Sequence, residues 1–211
     1  MTQFLHQRRP VRDNSAIPNV IFVLLVLNGL LFAAQQFRGD MMLYHFALWP
    51  LGSAQVPFRP WQLLTYGFLH DTHGLTHIFF NMFALWMFGR DIERVMGGPR
   101  FLAYYLTCVI GAGVVQLFVA ALQGGGYPTI GASGGVFGLL LAFAMFFPNR
   151  TVILIIPPIP MPAKYFVFFY GLLELYLGIS GYSPGVASFA HLGGMLFGFL
   201  LLQYWRKQRH R

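Results

Sequence analysis

Two residues far apart in the sequence have the side chains needed for nucleophilic chemistry. Ser133 lies in the stretch "GASGG", which matches the G-x-S-x-G pattern found around hydrolase nucleophiles. A serine hydroxyl is a poor nucleophile unless a base accepts its proton, and histidine is the usual base. His191, in "VASFAHLGGMLFGFL", is the candidate base. We therefore expect His191 to remove the Ser133 proton and later to return it to a leaving amine.

Three further groups could stabilise the oxyanion that such a reaction forms. His77 and Asn81 are four residues apart in "LTHIFFNMFALWMFG", so they share one face of a helix. The Asn81 amide and the His77 ring each offer an N–H donor. The backbone N–H of Ser133, at the start of a helix, offers the third. The alternative is that the first two side chains only connect helices.

The segment that follows Ser133 has the composition of a membrane span. The whole chain has 211 residues, of which 56% are hydrophobic and 9% charged, with a mean hydropathy of +0.59. A soluble domain carries about 25% charged residues, so the composition indicates a membrane protein. Six apolar runs are long enough to span a bilayer. They cover residues 17–37, 75–95, 101–122, 131–147, 164–180 and 186–204.

The basic residues predict the orientation of these spans. If six spans alternate, twelve of the fourteen Lys and Arg residues fall on one side, and only Arg38 and Arg59 on the other. The positive-inside rule then places both termini in the cytoplasm, and we expect a bacterial inner membrane. Topology thus explains the net charge of +8, and no nucleic-acid partner is expected. The first span reads as a retained helix rather than a signal peptide.

We expect a single membrane domain over residues 17–205, with short basic tails at 1–16 and 206–211. The fourth span is the shortest, because Pro148 ends it. A helix over residues 132–147 is about 24 Å long, against about 30 Å of hydrocarbon. It should therefore begin below the outer surface, at a depth similar to that of the other candidate site residues.

Small residues could bring the fourth and sixth spans together. Gly134 and Gly138 form a G-x-x-x-G pair just after Ser133, and Gly194 and Gly198 form another after His191. Close approach of the two backbones would let the short serine side chain reach the imidazole. Helix packing alone explains these glycines equally well.

No acidic residue is assigned to the pair. Of six acidic residues, only Glu174 lies inside a span away from a cytoplasmic loop, and we interpret it as a polar contact between helices. A Ser–His dyad is therefore expected. Cys108 is unpaired and indicates buried packing. Three histidines could suggest a metal site, namely His45, His70 and His73, but they lack the spacing of a metal motif, so we expect no metal. We expect no cofactor either.

The order of several motifs resembles that of rhomboid intramembrane serine proteases. These motifs are "WQLLTYGFLH", "HIFFN", "GRDIERVMGG", "GASGG", "IIPPIPMPAK" and "AHLGGMLFG". The resemblance covers nearly the whole chain after the first span. It implies an all-α, polytopic bundle of six transmembrane helices, the basic form of the family. It also implies Ser133 as nucleophile and His191 as base, and oxyanion donors from His77, Asn81 and the Ser133 amide. Gly131, at the start of "GASGG", belongs to the same motif.

Two positions differ from common family patterns. Phe137 stands where many members have a tyrosine packed against the histidine, and Gln62 stands where many have an arginine after the loop tryptophan. The segment 38–73 is broken by prolines and is expected to be a loop lying partly in the outer leaflet.

The resemblance implies that the substrates are membrane helices of single-span proteins, cut near the outer leaflet after local unwinding. A non-catalytic binder of membrane proteins and a small transporter are the alternatives. The sequence leaves the oligomeric state open.

Overall fold

The computed structural model describes residues 19–124, 127–153, 158–181 and 187–208. This part of the chain is mostly helical, which confirms the all-α expectation. Its seven α-helices are α1 (Asn19–Phe46), α2 (Gln62–Thr65), α3 (Thr76–Met96), α4 (Gly98–Gln123), α5 (Ser133–Phe146), α6 (Ala163–Ser180) and α7 (Ser188–Gln208). A 3₁₀ turn, Tyr66–Phe68, follows α2. Two short strands, β1 (Thr151–Ile153) and β2 (Pro160–Pro162), form an antiparallel hairpin that the sequence did not predict.

Each of the six predicted spans overlaps one long helix: α1, α3, α4, α5, α6 or α7. Two of the described helices, α1 and α4, are long and apolar enough to cross a membrane, each with a mean hydropathy of 2.1. The helix α5 is apolar but shorter, with 14 residues. The count of six crossings stays a prediction.

The first helix continues beyond its predicted end. The sequence assigned residues 38–73 to a loop, but α1 runs on to Phe46. Arg38 has non-helical backbone angles (φ −137°, ψ 31°), so the predicted end at residue 37 is a kink. After the kink, Met42 is buried against Trp49 and Leu69, and this packing holds the extra turns in place. The prediction was wrong here because it read the whole segment as a proline-broken loop, although its first proline, Pro50, lies beyond the end of α1.

The short helix α5 lies at the centre of the bundle. It packs against α3, α4, α6 and α7, and ten of its residues are buried. A helix that is apolar on all sides is stable only when neighbours surround it or lipid does. Here protein surrounds it, and Leu139 and Ala142 are fully buried. The first residue of α5, Ser133, is thereby fixed to a helix that neighbouring helices surround.

The α1–α3 connection (residues 47–75) holds the backbone just before α5. Leu48 and Thr129 exchange two backbone hydrogen bonds, of 3.0 and 2.9 Å. The Tyr66 carbonyl accepts the Gly131 N–H at 3.0 Å, and the Tyr66 hydroxyl donates to Val109 O on α4 at 2.7 Å. The turn that leads into Ser133 is therefore attached to both the connection and the bundle.

Gln62 has a structural place in this connection. It is fully buried, and its Oε1 accepts the backbone N–H groups of Trp49 and Arg59, both at 3.3 Å. Where many members of the resembling family have an arginine, this chain therefore has a buried neutral amide that bonds to the backbone of the connection.

Candidate active site

Ser133 and His191 meet at one end of the bundle. Ser133 is the first residue of α5, and His191 lies in the first turn of α7. The Nε2 atom of His191 is 2.8 Å from the Ser133 Oγ. At this distance an unprotonated Nε2 can accept the hydroxyl proton. The two residues are 58 positions apart in the chain, so only the packing of α5 on α7 brings them together.

Glycine backbones make that approach possible. A Cβ atom added at Gly194 would lie only 1.9 Å from the carbonyl oxygen of Gly134. The two helices therefore touch backbone to backbone one turn away from the Ser–His contact. Gly198 has a different neighbour: its added Cβ would meet the Tyr104 hydroxyl of α4 at 2.4 Å. Gly194 thus faces α5, whereas Gly198 faces α4.

The imidazole of His191 is held flat against Phe137. The ring centroids are 4.2 Å apart and the planes differ by 4°. Phe137 also contacts Tyr170 of α6, with the ring centroids 5.0 Å apart. Phenylalanine at this position thus supports the ring by stacking.

An acidic residue lies next to His191, and it forms the polar contact between helices that the sequence analysis expected of Glu174. Oε2 of Glu174, on α6, is 3.0 Å from His191 Nδ1. The sequence assigned no acid to His191, because the largely apolar sequence of α6 does not show which of its faces meets α7. The ring N–H is not aligned with Oε2, so the pair is a close electrostatic contact rather than a linear hydrogen bond. The side chain of Ser188 hydrogen-bonds to the same carboxylate.

His77 presents its Nε2 toward the Ser133 turn. Its Nδ1 accepts the backbone N–H of Asp71 at 3.2 Å, so the neutral ring carries its proton on Nε2. A Cβ added at Gly131 would be 3.0 Å from this Nε2 and 3.7 Å from the Ser133 Oγ. Gly131 has a φ of +125°, a conformation that side chains rarely adopt. The absent side chain therefore leaves a small space between the hydroxyl and an N–H donor.

Asn81 lies one turn below His77 and is buried. Its Nδ2 donates to the His77 carbonyl oxygen at 2.9 Å. One amide hydrogen is used in this bond, and the second is left for another acceptor. Asn81 therefore has both a helix-stabilising bond and a spare donor next to the site.

A second histidine lies beside His77. The His70 ring centroid is 5.2 Å from that of His77, and His70 is held by Gln35 of α1 through two hydrogen bonds to its backbone. Burial and the neighbouring His77 ring lower the pKa of His70 to about 4. His70 is therefore neutral at physiological pH. Sequence reasoning considered this residue only as a metal ligand and missed its place beside the site.

The other two histidines considered for metal lie elsewhere. His45 contacts Arg59, and His73 is an exposed residue that contacts Asp71. Among the described residues, no group of three His, Cys, Asp or Glu side chains is placed to hold a metal ion.

The site opens into a cavity of about 1350 Å³. One part of its wall is polar and includes Ser133, His191, His77 and Asn81. The remainder is mostly apolar and comes largely from α3 and α6: Phe80, Phe83, Met87, Phe166, Phe169 and Leu173. A serine, a base and two N–H donors thus line one wall of a space large enough for a peptide segment.

Comparison with known proteins gives the chain a family. A model of the Rhomboid domain matches residues 57–208. Rhomboid protein 1, mitochondrial, of Saccharomyces cerevisiae is 33% identical over 145 residues, which cover 64% of this chain and 40% of that protein. Rhomboid protease GluP of Bacillus subtilis is 34% identical over 140 residues, covering 66% and 25%. Putative rhomboid protease YdcA of the same bacterium is 29% identical over 143 residues, covering 67% and 65%.

The match thus spans from a quarter to just under two thirds of the length of these relatives. The family model itself covers well over half of the present chain and includes both Ser133 and His191. With its apolar helices and this match, the chain is an integral membrane protein that belongs to the rhomboid family.

Proposed function

We propose that this protein is an intramembrane serine endopeptidase in which Ser133 is the nucleophile and His191 is the general base. The observation that carries the proposal is the 2.8 Å contact between His191 Nε2 and Ser133 Oγ, at the wall of a cavity. Relatives named as rhomboid proteases support the same chemistry. The alternative is a rhomboid-like protein that binds membrane proteins without cutting them.

The reaction follows from the positions of these groups. Ser133 Oγ attacks the carbonyl carbon of the substrate while its proton passes to His191 Nε2. The carbonyl oxygen becomes an oxyanion, which accepts hydrogen bonds from the His77 Nε2–H, the spare Asn81 N–H and the Ser133 backbone N–H. The C–N bond then breaks as Nε2 returns the proton to the departing amine. A water molecule, activated by the same base, releases the acyl group from Ser133.

The substrate that fits this cavity is a membrane helix that can unwind locally. A helical peptide bond is protected by its own backbone hydrogen bonds, so Gly, Pro or polar residues near the cut should favour cleavage. The apolar wall comes largely from α3 and α6, where Phe80 and Phe169 are about half exposed. We assign the entry of an apolar helix to the gap between these two helices.

We further propose that both termini are cytoplasmic, in a bacterial inner membrane, and that the site opens to the outer side. The support is the distribution of basic residues in the sequence. Arg150, between α5 and α6, pairs with Asp91 near the end of α3, so two of the basic connections meet at one end of the bundle. A reporter fused after Arg211 should be cytoplasmic, and an externally accessible reporter would contradict this orientation.

The test is cleavage of a single-span substrate by the purified protein in lipid vesicles. Wild type should produce two fragments, and Ser133→Ala or His191→Ala should produce none. Their effects should not add in the double variant, because the two residues act as a unit. Ser180→Ala changes an exposed serine at the end of α6 and is the matched control, expected to cleave normally. Cleavage retained by Ser133→Ala would overturn the proposal, and binding without cleavage by wild type would favour the inactive alternative.

A further inference from the structure

A buried carboxylate inside an apolar helix needs an explanation. Glu174 is only 4% exposed and is the only acidic residue of α6. An ionised group away from water is costly unless it is paired, and in membrane helices such groups tend to mark function. Within the described residues, its ion-pair partner is His191, and its other polar contact is the Ser188 side chain.

We infer that Glu174 is a positioning residue that holds His191 by its Nδ1 atom, so that Ser133, His191 and Glu174 act as one series. This inference rests on the proposed protease function and adds a third member to the Ser–His pair. The carboxylate lies 3.0 Å from Nδ1, and the serine oxygen lies 2.8 Å from Nε2. The imidazole therefore lies between an acid on one side and the nucleophile on the other.

The arrangement gives the ring the tautomer that the reaction needs. A carboxylate at Nδ1 favours the proton on that nitrogen, which leaves Nε2 free to accept the proton of Ser133. When Nε2 becomes protonated, the positive ring faces the negative Glu174 and is stabilised. The N–H is not yet aligned with Oε2 in the free protein. Hydrogen bonds of this kind are often misaligned before substrate binds and tighten in the complex.

The side chains around the His191–Glu174 pair are compatible with this role. Stacking on Phe137 fixes the plane of the His191 ring, so alignment of the hydrogen bond depends on movement of the carboxylate. Among the described residues, the other titratable side chains that face the pair are Tyr170 of α6 and His77 of α3. On α4, which also packs on α7, the titratable groups Tyr104, Tyr105 and Cys108 contact the glycines further along the helices.

A second buried glutamate, Glu93, has a purely structural role and serves as a comparison. Glu93 of α3 is 5% exposed, and its carboxylate accepts the backbone N–H groups of Val20 and Ile21 at the start of α1. It satisfies the N-terminal donors of a helix and has no histidine partner among the described residues. Glu93→Gln is therefore a matched control for Glu174→Gln, with the same chemical change at the same degree of burial.

The experiment measures kcat, KM, the pH profile of kcat/KM and the melting temperature of both variants in lipid vesicles or detergent. Glu174→Gln should lower kcat by roughly 10- to 150-fold, the range for loss of a hydrogen bond to a charged group. KM should stay close to wild type. The acidic limb of the pH profile should move to lower pH, since the imidazolium loses its anion. Glu93→Gln should lower the melting temperature and leave the limb in place.

Two results would overturn the inference. One is a Glu174→Gln variant with wild-type kcat and an unmoved acidic limb. The other is a loss of activity that only follows the loss of melting temperature, again with the limb unmoved. A wild type that does not cleave, or that cleaves without Ser133, would instead refute the protease proposal itself.

If Glu174→Gln does not fold, the inference can be tested in a variant that retains Glu174. In Ser133→Ala, nitrogen NMR of labelled histidine should show His191 protonated on Nδ1. A His191 that is mainly protonated on Nε2 would overturn the inference.

Discussion

Gly194→Ala should separate the nucleophile from its base. The added methyl group would lie 1.9 Å from the carbonyl oxygen of Gly134 and 2.8 Å from its carbonyl carbon. Both contacts are with backbone, so no side chain can rotate out of the way. Because ordinary contacts begin near 3.4 Å, α5 and α7 must move apart by about 1.5 Å at this turn.

That movement acts directly on the Ser133–His191 contact, which is one turn away. Added to a distance of 2.8 Å, even two thirds of the shift takes the two atoms beyond hydrogen-bonding range. A misplacement of about 1 Å costs about 100-fold in rate. We therefore expect turnover to fall by about 100-fold or more. Overpacking should cost about 1–3 kcal/mol of stability, so a folded protein should remain.

The assay is turnover of a single-span substrate, measured with the melting temperature of the same preparation. Gly29→Ala is the matched control, because Gly29 is also inside a helix but has no atom within 4 Å of an added methyl group. It should leave turnover unchanged and stabilise the protein slightly, by about 0.5–1 kcal/mol. Normal turnover by a folded Gly194→Ala would refute the idea that glycine contact sets the Ser–His distance.

Three further predictions follow from the residues around the site. Gly131→Ala should reduce turnover at least about 100-fold, since its methyl group meets the His77 ring and fills the space assigned to the oxyanion; Gly52→Ala, with similar backbone strain and open surroundings, should cleave normally. Asn81→Ala should slow cleavage about 100- to 1000-fold with little change in KM, and normal turnover, or slowing explained by a lower melting temperature alone, would remove it from the site. Because the His70 pKa is about 4 in the folded state and about 6.5 in the unfolded state, the unfolded protein binds more protons between these values. Stability should therefore fall by up to about 3 kcal/mol as the pH drops from 6.5 to 4, and His70→Asn should lose this dependence in melting curves.

Local signals in the sequence were enough to locate the short helix after Ser133. Pro148 cannot continue a helix, and the helix predicted over residues 132–147 agrees with α5 to within one residue at each end. The approach of the serine to His191 followed from span lengths and from small residues near both side chains. These are properties of individual segments and their immediate neighbours.

The position of Glu174 could not be predicted in the same way. Apart from Glu174 and Lys164, α6 has no charged residue and is mostly apolar, so its sequence does not show which face meets α7. The contact between Glu174 and His191 is set by that rotation. The continuation of α1 past Arg38 was missed for a related reason, since Met42 is held by packing on Trp49 rather than by a helix signal.

Covalent labelling shows whether Ser133 is a nucleophile that His191 activates. The protein in lipid vesicles is treated with a fluorophosphonate, digested, and analysed by mass spectrometry to find the modified residue. We expect one adduct on Ser133, and labelling at least about 100-fold slower in His191→Ala, because loss of the general base removes about this factor. Absence of an adduct on Ser133, or labelling at an unchanged rate in His191→Ala, would contradict it.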